Sequence, residues 1–354
     1  MKNIFVFPFT AEQIPLTRFQ SALCRDNNIV PIVPSCIKIP NANLSMLDNG
    51  DDIDLKFVDW KNAQKNDIFC FVCGDGSINS YEFGVKFAKE VMSIGHSVEI
   101  HLDRMGVMRL KTIDNDFLQD NKICFPQKVL DIQAVDSGEK AQLFPVGVPV
   151  IAVGSIVAEN NKKEVCLSLL EYYRDKGKRV ECVFSDSIYR YLGLHILDYE
   201  ALFENGIDLM IYYINNYFYR LQKKTECDMI ICDLPGGMMK YSSELIDSAG
   251  VYSYIISQAI EIQKVICCVP LSYNTIEYYQ TIADVIHQKF DVKEIFFHMS
   301  NYLVDTKRSP ISERMPGCFI DRNDYISMLD FVNQQNSFIY NLRNREELEK
   351  ALYV

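Results

Sequence analysis

Short apolar runs alternate along the chain with stretches whose apolar positions recur every three or four residues. This pattern predicts strands and helices in succession, and hence an α/β fold. Near the start, residues 4–7 read as a strand, and Pro8-Phe9-Thr10 as a turn whose Thr10 caps a helix over 11–23. A second strand over 29–33 is closed by Pro34, and a polar stretch rich in Asn and Asp over 41–54 leads to a buried strand at 68–72. A helix over 81–93 and a strand over 97–101 complete a β-α-β unit, so this half reads as a small Rossmann-like domain.

The periodicity weakens from Arg104 to Gly147, where Pro126, Gly138 and Pro145 punctuate the chain. Beyond it a second series starts, with strands expected at 150–153, 180–184, 229–232, 265–269 and 294–299. Helices are expected between them at 163–176, with Gly177 as its cap, and at 207–224, 248–262 and 275–289. The expected architecture is two Rossmann-like three-layer domains, residues 1–125 and 148–354, joined by a linker at 126–147. The second is a P-loop-like doubly wound parallel sheet with a C-terminal helical extension.

Composition narrows the class. Of 354 residues, 48% are apolar and 23% charged, values of an ordinary globular chain, which excludes disorder and coiled coil. Thirty-six basic against 47 acidic residues give a net charge of −11, which disfavours a nucleic-acid partner. Twelve cysteines are too sparse for a disulfide scaffold and read as reduced, mostly buried thiols. No apolar run approaches the ~20 residues of a membrane span, and the run at 4–7 is too short for a signal sequence and ends at Pro8. A cytoplasmic protein is expected.

Doubly wound sheets bind ligands beyond the carboxyl ends of their strands, so the candidate chemistry is sought there. After the strand at 150–153 come Gly154, Ser155, a polar loop with Glu159, Asn160 and Asn161, and then Lys162 and Lys163 at a helix start. Such a loop can point backbone N–H groups and a lysine at a phosphate. It departs from a phosphate loop at two positions: Asn stands for the second Gly, which its tolerance of left-handed φ permits, and no hydroxyl follows the lysine. The alternative is a plain β-α loop with solvated lysines. Asp233 lies one residue past an apolar run, where an acid can hold a metal-bound water, and Pro235-Gly236-Gly237 suggests a tight turn open to a phosphate. A capped turn is the alternative. Asn301, two residues past the last expected strand, could contact a nucleobase or simply shape a turn.

Residues 148–303 weakly resemble P-loop proteins of the dethiobiotin synthetase type, in which a phosphate loop, an acid at a strand end and a base-contacting Asn follow in this order. The whole chain resembles the clostridial peptide maturation system proteins, encoded beside cysteine-rich, bacteriocin-like precursor peptides and a radical SAM maturase. The likeness rests on Phe7-Pro8-Phe9-Thr10 with Pro15 and Arg18, on residues 150–163, and on Asp233-Leu234-Pro235-Gly236-Gly237. It implies an accessory role in maturing a ribosomally made peptide, with the precursor peptide and maturase as partners; apart from the resemblance, a homodimer is one possible assembly. Carried over by position, Lys162 is the phosphate lysine, Asp233 the magnesium-side acid and Asn301 the base contact. ATP and Mg²⁺ are then the expected cofactors. ATP-dependent ligation or phosphoryl transfer is the natural chemistry of such a site, and a pseudoenzyme is the outcome if its departures matter.

The remaining motifs carry less. Cys70 and Cys73 have the C-x-x-C spacing, but an offset of three along a strand sends the thiols to opposite faces, and no structural metal is expected. Gly74-Asp75-Gly76 with Glu99 or Asp103 supports a weaker alternative, a nicotinamide-dependent oxidoreductase. Tyr212, Tyr213, Tyr217, Phe218 and Tyr219 wrap more than one face of a helix and could form a peptide surface, which would make the protein a non-enzymatic scaffold. The basic loop from Lys307 to Gly317 could close over an anion as a lid, and residues 343–352 read as a surface helix.

Overall fold

A computed structural model describes the chain apart from residues 25, 35–42, 51–52, 54–58, 73–77, 127–141, 158–160, 200–201, 203–205, 241–246, 272–274, 305–316, 334–338 and 354. Contacts divide it into two units, one of Met1–Lys128 with Asp186–Ile196 and one of Val129–Ser185 with Leu197–Val354. Most of the stretch expected as a linker lies outside the described residues.

The first unit is a parallel sheet of β1 (Lys2–Phe7), β2 (Asn27–Pro31), β3 (Ile68–Val72), β4 (Val98–His101) and β5 (Ile123–Cys124), in the order β2-β1-β3-β4-β5. Its core is aromatic: Phe5 stacks on Phe69 at 4.6 Å and Phe7 meets Phe87 edge-on at 4.7 Å. The helix expected at 11–23 is instead a 3₁₀ turn, Ala11–Gln13, followed by α1 (Ile14–Arg18) and α2 (Gln20–Leu23). The break at Phe19 lets the Gln20 side chain serve strand β2, its oxygen accepting from the Ile29 N–H at 2.9 Å. Satisfying an edge strand's backbone outweighs one continuous short helix. Arg18 holds Asp48 with two hydrogen bonds, at 2.8 and 3.1 Å. Helices α3 (Ile78–Ser93) and α4 (Arg104–Ile113) follow β3 and β4.

The second unit begins with β6 (Val150–Ser155), α5 (Lys162–Asp175) and β7 (Val180–Phe184). After β8 (His195–Ile196), which groups with the first unit, come α6 (Ile207–Thr225), β9 (Met229–Gly237), α7 (Val251–Ala259), β10 (Lys264–Leu271), α8 (Ile276–Phe290) and β11 (Glu294–Val304). Then follow β12 (Gly317–Phe319), α9 (Arg322–Asn333), β13 (Ile339–Tyr340) and α10 (Arg345–Tyr353). The sheet order is β12-β11-β10-β6-β9-β7 with β13 beside β11, and of these pairings β11–β12 is antiparallel. From β6 the chain first fills one flank and then returns to fill the other. Its direction of growth reverses at β6, so the crevice of a doubly wound sheet opens at the carboxyl end of β6, between β9 and β10.

Four strands outrun their expected ends, β10 by two residues to Leu271 and three others further into the site. β6 continues through Gly154-Ser155, β9 through Asp233 to Gly237, and β11 through Ser300 to Val304. Gly, Pro and Asn read locally as turns, but a strand between two partners gains ladder hydrogen bonds from staying extended, and context overrides propensity. The surplus is absorbed as a bulge: Val153 pairs Asp233 whereas Ser155 pairs Gly237, with Gly236 at a φ of 65° that suits glycine. The expected turn at 235–237 is therefore strand. Likewise the helix expected at 248–262 shortens to α7, because Gly250 at φ 73° breaks it from the 3₁₀ turn Asp247–Gly250. Among the described residues, no helix is long and apolar enough to cross a membrane.

Candidate functional site

The site is built on α5. Asn161 stands at its N-terminal boundary with φ 56° and ψ 13°, a left-handed conformation that Asn and Gly adopt more readily than other residues. This conformation turns Lys162 inward at the first position of the helix, where it is 6% exposed. Its Nζ donates to the Leu234 carbonyl and lies 3.3 Å from Asp233 Oδ1. Asp233 is wholly buried, and its other oxygen accepts from the Ser185 hydroxyl at 2.7 Å and more weakly from the Ser185 N–H at 3.4 Å. A buried carboxylate requires such compensation, because removing either charge leaves the other stranded in low dielectric.

Asp233 thus sits inside β9 rather than beyond a strand end: its Oδ2 is held by Ser185, while its Oδ1 lies 3.3 Å from the Lys162 ammonium and makes no hydrogen bond among the described residues. A divalent ion approaching it must take the place of Lys162 or Ser185. Lys163, where a phosphate loop carries a hydroxyl, is half-buried on the next position of the helix. The carboxyl end of β6 offers a different hydroxyl. Ser155 is fully buried, and its Oγ has no hydrogen-bond partner among the described residues. An orphaned hydroxyl of this kind calls for an explanation, and a ligand atom is one. Next to it Gly154 lies under Met238: a Cβ there would stand 2.3 Å from the Met238 sulfur. Gly237 continues the ladder, and the Met238 N–H donates to the Ser155 carbonyl at 2.7 Å. Glu159 and Asn160 lie outside the described residues.

A second cluster joins the first through Asn161. Its amide donates to Glu164 Oε2 at 3.3 Å, and its carbonyl oxygen accepts from the Ser300 hydroxyl. Glu164, 3% exposed, pairs with Arg343 at 2.9 Å, and Arg343 also donates to Asn301 Oδ1 at 3.1 Å. Asn301 therefore lies within β11, 2% exposed, with its side-chain oxygen already engaged. His298, on the same strand, accepts from the Leu342 N–H at Nδ1, and burial, reinforced by Arg343, pushes its pKa down to about 3.

The structure brings Gly154, Ser155, Asn161, Lys162, Asp233 and Gly237 to one end of the sheet, and it adds Ser185, Glu164 and Arg343. Arg343 was expected on a surface helix, but α10 starts only at Arg345, which leaves Arg343 free to turn inward. Charge alternation near the terminus hid it. Asn161-x-x-Glu164 does carry a signal, since a polar residue followed three residues later by Glu marks a helix start; here the two bond each other side chain to side chain rather than capping the backbone.

Other candidates are placed as follows. Phe218 is buried, Tyr213 and Tyr217 pack against the core, and Tyr219 stacks on Phe144 at 4.8 Å, so much of the aromatic set is covered by the chain itself. Asp103 caps α4 through the Gly106 N–H at 2.6 Å, and Glu99 is engaged by His101 and Tyr191. Both acids are thus engaged by groups of the same unit. Cys73 and the Gly74-Asp75-Gly76 turn lie outside the described residues, as does the basic loop up to Pro316.

The chain matches no protein-family model and no curated protein. Among solved structures it is similar to a DUF1611 family protein from Anabaena variabilis, at 11% identity and a TM-score of 0.59, covering 100% of this chain and 99% of the other. A shorter likeness, with 13% identity and a TM-score of 0.31, runs to cobyrinic acid a,c-diamide synthase from Mycobacterium smegmatis with bound ADP and magnesium. It covers 54% of this chain and 83% of that one, and at such a score it fixes neither fold nor chemistry. The full-length likeness shows a shared two-domain α/β fold.

Proposed function

We propose that the second unit is a nucleotide-binding domain of the P-loop type with a degenerate loop, serving as an accessory in the maturation of a ribosomally made peptide. The observation that carries this reading is the buried Lys162–Asp233 pair at the switch point of the sheet, beside the orphaned Ser155 hydroxyl. A phosphate reaching the start of α5 meets a helix N-terminus, a lysine and a hydroxyl, and it competes with Asp233 for Lys162. Magnesium arriving with the nucleotide would neutralise phosphate charge, and Asp233, once released by Lys162, is the acid that would face a metal-bound water. With Lys163 in place of a hydroxyl the metal lacks one of its usual protein contacts, so binding is favoured over turnover. Peptide maturation, with a precursor peptide and a radical SAM maturase as partners, rests on the sequence resemblance, and a cytoplasmic setting on the reduced character of the cysteines.

Calorimetry with ATP and Mg²⁺ tests the nucleotide reading. The native protein should release heat on binding, Ser155→Ala should bind more weakly, and Lys162→Ala, checked for folding by circular dichroism, should not bind. No heat from the native protein would overturn it and leave the scaffold alternative, for which pull-down of the precursor peptide by Lys162→Ala is the direct assay.

A further inference from the structure

The first unit holds a second polar cluster, far from the residues that a phosphate loop uses in the sequence. Glu99 and His101 are two apart on β4, so both side chains stand on one face of the sheet. Cys70 on β3 is the register partner of Glu99, which puts its thiol on that same face. Their ligand atoms, one per residue, all lie within 4.8 Å of one another, with His101 Nε2 and Glu99 Oε2 at 3.2 Å. Cys70 is fully buried and His101 is 5% exposed, so the group is built into the fold rather than scattered on its surface.

We propose that Cys70, Glu99 and His101 form a binding site for a divalent transition metal of the zinc class. The donor set of one sulfur, one imidazole nitrogen and one carboxylate oxygen is that of a borderline-soft ion. Metal–ligand bonds of about 2.0–2.3 Å in a tetrahedron set the ligand atoms about 3.3–3.8 Å apart, so shifts of about 1 Å or less convert the present spacing into a coordination shell. The outer contacts have the orientation such a site needs. His101 Nδ1 is held by the Ser187 hydroxyl at 2.8 Å, which leaves Nε2 directed at the cluster. The Tyr191 hydroxyl donates to Glu99 Oε2 and steadies the carboxylate. Both partners come from the segment Asp186–Ile196, which belongs to this unit.

Charge balances as well. On binding, Cys70 releases its thiol proton to solvent and forms the sulfur–metal bond, so thiolate and carboxylate together neutralise a doubly charged ion. Arg190 is the cation facing Cys70 and Glu99, and it opposes a further positive charge, which sets the requirement for both anions. Three protein donors leave a fourth position for water or a substrate atom, the arrangement of reactive rather than purely structural zinc sites.

Cobalt substitution tests the proposal on the full chain. Metal-stripped protein titrated with Co²⁺ should take up a single equivalent, with a sulfur-to-cobalt charge-transfer band in the near ultraviolet and the strong visible bands of four-coordinate cobalt, both erased by Zn²⁺. Cys70→Ser should abolish the charge-transfer band. Ser187→Ala, which leaves all three donors in place, should weaken Zn²⁺ affinity by roughly 10–100-fold. Cys124→Ser, a neighbouring thiol on β5, should leave the spectrum unchanged. Absence of the band in the native protein overturns the proposal whether or not Cys70→Ser folds, and so does a band that survives that substitution.

Discussion

Asn161 occupies a backbone conformation that costs most residues about 1–2 kcal/mol, and its side chain links Glu164 to Ser300. Asn161→Gly should keep the left-handed turn and lose only the side-chain bonds, whereas Asn161→Ala should lose both. Urea unfolding should therefore rank native above Gly above Ala, with Ala roughly 1–3 kcal/mol below native. His298 presents the opposite case, a residue whose role is to stay neutral. Its ordinary value of 6.5 holds in the unfolded chain and falls to about 3 in the fold, where Arg343 and Glu164 are the charged groups facing it. The unfolded chain thus binds the extra proton between these values. The contribution is complete above pH 6.5 and is lost as pH falls toward 3, at a slope of up to ~1.4 kcal/mol per pH unit. His298→Gln, which retains an acceptor for the Leu342 N–H, should flatten stability between pH 7 and pH 4.5; an unchanged slope would assign the acid sensitivity to other groups.

At the scale of elements, the order of strands and helices was legible because periodicity reports which residues face a core. Strands at 68–72 and 180–184 coincide with their expected bounds. The ends of β6, β9 and β11 were not legible, because Gly154, Pro235 and Asn301 read as turn formers and only flanking strands can hold such residues extended. This matters for the site, since Ser155, Asp233 and Asn301 lie inside the sheet rather than in loops above it. The close approach of Met238 to Gly154 follows from the same extension. Gly154→Ala should cost about 1–3 kcal/mol by overpacking. The double variant with Met238→Ala should lose less than the sum of the two single losses, a coupling measurable by a double-mutant cycle. Strict additivity would mean that the two side chains do not compete for one space.

At the scale of the molecule, the chain departs from a simple succession of two domains: after β7 it contributes Asp186–Ile196 to the first unit before returning. Ile188, Tyr189 and Leu192 of this segment are buried, each 1% exposed, and Ser187 and Tyr191 bond His101 and Glu99. Residues 1–128 expressed alone should therefore melt at a lower temperature than the same residues joined by a flexible linker to 186–196. Equal melting temperatures would show that the segment adds nothing to that unit.

The amino-acid sequence by itself determined the α/β class, the alternation of elements and the candidacy of Asn161, Lys162 and Asp233, because propensity, periodicity and capping act over a few neighbouring residues. Tertiary structure alone decided which groups meet. It closed Lys162 onto Asp233, drew Arg343 from beyond β13 to Glu164 and Asn301, and set Cys70 beside Glu99 and His101. Those pairings join residues far apart in the chain, and only the register of a folded sheet and the desolvation of buried charge select them.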